Sequence, residues 1–278
     1  MTVFRAGSFK AACVQLRSTD DVAENIRDAV RWVREAAARG ATFIATPENT
    51  TLMAPDGGAK LAQSFDEAQD PALPVFSALA KELMVWLLIG SLAIKVSDSK
   101  TANRSFLFAP DGGIRARYSK IHLFDVQLAS GENYRESNTV AGGGEAVVAD
   151  TDFGKVGLSI CYDLRFPQLY RRLAQKGAFL FTIPSAFTVP TGRAHWHVLQ
   201  RARAIENGAF VIAPAQGGIH ANGRKTYGHS LIVSPWGEVL AEAGTEPGVI
   251  VADIDPALAA DARAKVPNLQ HDREFAGP

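Results

Sequence analysis

The chain has 278 residues, with 29 Lys and Arg balancing 29 Asp and Glu, so it lacks the basic surplus of a nucleic-acid or membrane-surface binder. Apolar residues make up 47% and charged residues 21%, the usage of an ordinary globular protein, which excludes a largely disordered chain. The length suits one large α/β domain over residues 1–278, and no linker or short-period repeat divides it.

The opening MTVFRAGSFK has no apolar signal core, and the strongest apolar run, 85–89, is too short to span a bilayer, so a cytoplasmic protein is expected. Segment 9–16 reads as a first strand. Asp20 then opens an amphipathic helix with Val22, Ile26, Ala29, Val30 and Val33 on one face, and Gly40 ends it. The apolar run 41–46 follows at β-α-β spacing and should lie parallel to the first strand, with Pro47 and Glu48 at its carboxyl end. A helix near 74–82 leads into a strand over 85–96. Asp111-Gly112-Gly113 turns a hairpin between 105–108 and 114–120, because Asp-Gly supplies the positive φ such turns need. A polar loop covers 129–144. The alternation then resumes with strand 156–160, helix 168–175, strand 179–183, helix 194–207 and strand 210–213. A second hairpin, 231–233 to 239–241 around Pro235-Trp236-Gly237, precedes a strand over 249–254. Helices alternating with mixed strands predict a layered α/β fold, and the periodicity leaves the number of sheets open.

Only Cys13 and Cys161 carry thiols, which is no disulfide framework. Cys13, in Ala11-Ala12-Cys13-Val14, reads as a small core residue. Cys161 ends an apolar strand and precedes a Pro167-led helix, a place where a thiol is held rigidly near helix N-terminal amides that favour thiolate. A packed strand-end cysteine would look the same. Glu48 stands beyond the carboxyl end of a strand, the edge where α/β sheets place their sites, although a lone loop carboxylate could stand there too. Lys120 closes the first hairpin, and by itself it could be a snorkelling surface lysine.

Three segments together are far more specific. Pro47-Glu48-Asn49, Tyr118-Ser119-Lys120-Ile121-His122-Leu123-Phe124 and Ile160-Cys161-Tyr162-Asp163-Leu164-Arg165-Phe166-Pro167 resemble, in that order, the three signatures of the nitrilase superfamily. The resemblance continues through Gly192-Arg193-Ala194-His195-Trp196, Arg201-Ala202-Arg203-Ala204-Ile205-Glu206-Asn207 and Tyr227-Gly228-His229-Ser230, and is greatest to the Nit amidases of deaminated glutathione and ω-amides. It implies a four-layer α-β-β-α sandwich, homodimers paired through helices, no cofactor and no metal. It implies Glu48, Lys120 and Cys161 as a catalytic triad with Glu136 as a second glutamate. Residues 50–55 and 129–133, near the expected pocket, are less typical of the Nit pattern.

Those groups suit hydrolysis of a small carboxamide to carboxylate and ammonia, with water and a small-molecule amide as partners. Cys161 would form a thioester, and Glu48 would move the protons. Lys120, which should also lower the thiol pKa, and the backbone N–H of Tyr162 would bind the oxyanion. Glu136 would orient Lys120 and the amide. Arg165, four residues after the thiol, and Thr191, in the loop 188–192, could bind a carboxylate at the far end of the substrate; Arg165 could instead pair with Asp163 or cap a helix. Nitrile or N-carbamoyl hydrolysis and an idle small-molecule binder are the alternatives within the superfamily. A Cys–His enzyme using His122, His195, His197 or His229 is a rival outside it. His195 and His197 point to different faces of a helix and should not chelate a metal together.

Overall fold

In the computed structural model, which describes residues 7–127 and 133–277, alternation along the first strand decides the layering. Ala12 and Val14 turn to one side of the sheet, joined by Ile44, Leu87 and Ile89, and pack beneath the helices Val22–Ala38 and Ala72–Leu83. Ala11, Cys13, Phe43, Ala45 and Leu88 turn to the other side and meet Leu158, Ile160, Phe181 and Ile183 of a second sheet. The helices Pro167–Gln175 and Val189–Asn207 pack Leu169, Leu173, Trp196 and Ala204 onto that second sheet. The result is the four-layer α-β-β-α sandwich.

Each sheet has six strands. The first runs Gly248–Ile254, Phe9–Gln15, Phe43–Ala45, Trp86–Lys95, Thr101–Phe108, Ile114–Ser119. Phe9–Gln15 and Phe43–Ala45 are parallel, as their spacing required, with Cys13 opposite Ala45. The second runs Val239–Glu242, Leu231–Val233, Phe210–Ala213, Leu180–Thr182, Gly154–Leu158, Val148–Thr151, and both expected hairpins are present.

Several boundaries differ from expectation, each for a local reason. The first helix is capped by Asp21, whose carboxylate accepts the Glu24 N–H at 2.8 Å, rather than by Asp20. The long helix begins at Val189, not at 194. Pro190 in its first turn is a helix-start signal, so Thr191 lies in the helix and not in the expected loop. Asp56 and Asp255 cap two further helices, Gly57–Ala62 and Pro256–Lys265. The expected polar loop contains the short strand Asn133–Arg135, paired with Asp125–Gln127; residues 129–132 of it lie outside the described residues.

Candidate active site

Glu48 is positioned where the strand Phe43–Ala45 ends in tight, buried contact with its parallel neighbour Trp86–Lys95. After Phe43–Ala45 the Thr46 and Thr50 hydroxyls bond each other at 2.8 Å, Gly90 N–H donates to Thr46 Oγ1 at 3.0 Å, and Asn49 N–H donates to Ser91 Oγ at 2.9 Å. Gly90 is required there: a Cβ on it would stand 2.0 Å from the Thr46 carbonyl oxygen. Lys120 follows Ile114–Ser119, its N–H donating to the Asn103 carbonyl at 2.9 Å and its carbonyl accepting the Gly143 N–H at 2.7 Å.

From that anchor Lys120 Nζ donates to Glu48 Oε1 and to Glu136 Oε2, each at 2.9 Å. Asn103 Nδ2 bridges the same two carboxylates, at 2.9 Å to Glu48 Oε1 and 3.1 Å to Glu136 Oε1. Glu136, in the turn Glu136–Asn138, also accepts the Phe124 N–H at 2.7 Å. Two carboxylates around one ammonium keep it protonated: burial alone would lower the Lys120 pKa, but Glu136 and Glu48 raise it well above its ordinary value. Burial would likewise raise Glu136, and the Lys120 charge and hydrogen bond overturn this and hold it down to about 2.

Cys161 sits where the strand Gly154–Leu158 runs out. Parallel pairing continues through Cys161 N–H to the Pro184 carbonyl at 2.9 Å, and then Cys161 adopts φ +51° to enter the turn Cys161–Arg165. A non-glycine residue in that conformation is held there by its surroundings. The main clamp is Asp163, fully buried, which accepts from Tyr118 OH at 2.7 Å, Ile160 N–H at 2.9 Å and His122 N–H at 3.0 Å. The thiol opens into the same cleft as Glu48 and Lys120. Burial, reinforced by the Glu48 charge, pushes its pKa well above the ordinary range, and Lys120 and the Ala186 amide only partly oppose this. The expectation of a thiol depressed toward thiolate is therefore corrected: Lys120 does pull in that direction, but desolvation is the larger effect.

Glu48, Lys120, Glu136, Cys161, Tyr162, Arg165 and Thr191 all line one cleft of about 1140 Å³. The Arg165 guanidinium lies 5.7 Å from the Tyr162 ring centre and 5.6 Å from that of Phe187, with Nη2 3.3 Å from His195 Nδ1. It does not pair with Asp163. Thr191 Oγ1 is 2.8 Å from Thr188 Oγ1, at the cleft edge. The histidines weighed as bases for Cys161 are engaged elsewhere: His122 with Asp163 at 2.7 Å, His195 with Arg165, and His197 and His229 with Glu242 at 3.0 and 2.8 Å. His195 and His197 do point apart.

The family model of the carbon-nitrogen hydrolases matches residues 10–264. The chain belongs to the carbon-nitrogen hydrolase family. This hydrolase is 41% identical to deaminated glutathione amidase of Synechocystis sp. over 95% of its own length and 97% of the relative's. It is 36% identical to human omega-amidase NIT2, over 96% and 95%. Among solved structures it resembles Saccharomyces cerevisiae Nit3, a member of branch 10 of the nitrilase superfamily, with TM-score 0.85 and 30% identity over 96% of this chain and 97% of that one. The hydrolase is an amidase of this superfamily.

Three further residues, Asn103 bridging the two glutamates and Lys60 and Arg224 lining the cleft, are not marked by the sequence motifs. Asn103 sits within the apolar strand Thr101–Phe108, where its polar side chain at a buried position was the available signal. Lys60 and Arg224 line the cleft from the helix Gly57–Ala62 and the hairpin Gly217–Ile219 to Lys225–Tyr227, elements that no motif announces.

Proposed function

We propose that the hydrolase cleaves small carboxylate-bearing ω-amides through a thioester on Cys161. The observation that carries this is the Lys120 ammonium held at 2.9 Å from both Glu48 and Glu136 in the cleft that the Cys161 thiol enters. Sulfur bonds to the amide carbon while Glu48 takes the S–H proton. Lys120 and the Tyr162 backbone N–H stabilise the oxyanion, and the enclosed site raises the value of that charge. The C–N bond then breaks as Glu48 returns the proton to nitrogen, and the amine leaves. Water adds to the thioester, giving Glu48 a proton. The C–S bond breaks, the thiol is reprotonated and the acid departs. Glu136 and Asn103 keep Lys120 and Glu48 in position.

The carboxylate preference rests on charge. Among the described residues the cleft is lined by Lys60, Lys120, Arg135, Arg165, Arg224 and Lys225 against Glu48, Asp56 and Glu136, in a chain of zero net charge. Arg165, with Thr191 nearby, is our candidate for the carboxylate of the acyl portion. Names of relatives agree with this class: they act on deaminated glutathione and ω-amides. Incubation with α-ketoglutaramate or deaminated glutathione should release the amine product and leave, on rapid quenching, an acyl mass on the peptide carrying Cys161. Folded Cys161→Ala that still turns over would refute the assignment.

We further propose a single-domain homodimer of the cytoplasm. Val198, Ile205 and Trp236 form an exposed apolar stripe on one face that a second copy would cover, and two free thiols suit a reducing compartment. No helix among the described residues is long and apolar enough to cross a membrane. Sedimentation of Val198→Glu against the parent protein tests the dimer.

A further inference from the structure

We propose that His197, His229 and Glu242 form a surface site for a divalent transition-metal ion, zinc above all, outside the catalytic cleft. The amide chemistry uses none of these three side chains, so the site is independent of the hydrolytic reading.

The three ligands come from three separate elements. His197 lies on the helix Val189–Asn207, His229 between the strands Lys225–Tyr227 and Leu231–Val233, and Glu242 at the end of the edge strand Val239–Glu242. One carboxylate oxygen draws both rings together: His197 Nε2 lies 3.0 Å and His229 Nδ1 2.8 Å from Glu242 Oε1. All three ligand atoms fall within 4.8 Å of one another, the one such cluster among the described residues. Tetrahedral zinc, with bonds of about 2.0–2.1 Å, sets its ligand atoms roughly 3.3 Å apart, so small side-chain shifts bring the three onto one ion.

The backbone around these ligands is fixed before any ion arrives. His229 has φ +55°, a left-handed conformation that a non-glycine residue keeps only where its surroundings impose it. They do so from both sides: its N–H donates to the Gly244 carbonyl at 2.8 Å, and its carbonyl accepts the Trp196 indole N–H at 2.7 Å. Trp196 is buried and precedes His197, so one indole fastens helix and loop together at the site. Glu242 pairs with Leu231 in the antiparallel ladder, and the Ala243 N–H donates to the Ser230 carbonyl at 3.0 Å, which holds the carboxylate stem beside the same loop. Tyr227 stacks on the His229 ring with centres 4.4 Å apart and meets the His197 ring edge-on at 6.1 Å.

The ligand set selects the ion. Two imidazoles and one carboxylate suit zinc and its first-row neighbours, whereas calcium and magnesium favour all-oxygen sites. The side chains are 33%, 27% and 39% exposed for His197, His229 and Glu242, so an ion reaches them from solvent and keeps a water in its fourth position. Each ring must offer a lone pair, which puts the ring proton on Nδ1 of His197 and on Nε2 of His229 in the metal-bound form. A bound ion ties the helix to the sheet edge. That helix opens with Val189, Pro190 and Thr191 at the cleft, so occupancy steadies the cleft rim without touching the reacting groups.

The test uses full-length Cys161→Ala without an affinity tag, which removes the cleft thiol as a competing zinc ligand; the protein is stripped with a chelator and titrated with zinc against a chromophoric chelator. One zinc should bind per chain, and the melting midpoint should rise by several degrees at saturation. Cobalt in its place should give the visible absorption of a four-coordinate site with no thiolate charge-transfer band. His197→Ala and His229→Asn should each weaken zinc binding by about tenfold or more, asparagine being chosen because it tolerates φ > 0. If His229→Asn fails to fold, His197→Ala alone decides. Absence of zinc binding, or an affinity unchanged in His197→Ala, overturns the site and reduces the cluster to a pair of His–Glu hydrogen bonds. Neither result bears on the amidase reading.

Discussion

The Lys120 ammonium and the Glu48 carboxylate meet at 2.9 Å with side-chain exposures of only 2% and 5%. A buried pair of this kind is weak as a source of stability but expensive to break from one side, because the survivor is left charged in a poor solvent. Lys120→Ala, which leaves Glu48 and Glu136 facing each other, should cost about 3–5 kcal/mol of stability by denaturant titration. Turnover should fall at least about a hundredfold in Glu48→Gln and in Lys120→Ala, and the double variant should lose much less than the product of the two. Multiplicative losses in single-turnover assays would separate the two residues functionally.

Asp163 should prove as important to the cysteine turn as any residue that touches substrate. Its carboxylate gathers donors from three residues on two segments, Tyr118 and His122 on one and Ile160 on the other. Asp163→Asn removes the charge and presents an amide N–H₂ to donors. We expect about 3 kcal/mol of lost stability in denaturant titrations, with kcat reduced through misplacement of Cys161. An unchanged melting profile would mean that the clamp is dispensable.

Acid should weaken the fold partly through Glu136. Its carboxyl falls from the ordinary 4.5 to about 2 on folding, so the unfolded chain takes up this proton first as pH drops. The stability it contributes is therefore complete above 4.5 and is lost progressively as pH falls from there through about 2. Denaturation midpoints of the parent protein and Glu136→Gln, measured across that window, should converge toward the acid end. Parallel curves would show that Glu136 titrates alike in both states.

Arg165→Lys keeps a charge and loses the planar fork. It should lower kcat/KM for carboxylate-bearing ω-amides by about tenfold or more and affect neutral aliphatic amides much less. Equal losses on the two classes would make Arg165 a support for Tyr162 and Phe187 rather than a substrate ligand.

The chemistry-bearing residues were legible because each stands at a punctuation point of the chain. Glu48 and Cys161 follow apolar strands, Lys120 closes a hairpin whose Asp-Gly turn is explicit, and local sequence dictates such ends through alternation and turn geometry. The parallel pairing of Phe9–Gln15 with Phe43–Ala45 followed from the single helix between them. Tertiary structure alone decided the rest. Asn103 lies 55 residues from Glu48 and 33 from Glu136, and its bridging role depends on the register of neighbouring strands. The thiol's protonation reversed the local expectation, because desolvation depends on how completely two sheets close over Cys161 and not on the residues flanking it. Lys60 and Arg224 are 164 positions apart and share a wall only because Gln216 and Asn222 pin the late hairpin to the segment after Glu48. Periodicity encodes which face of an element is buried; which distant polar groups then meet is set by long-range packing, on which local sequence has no hold.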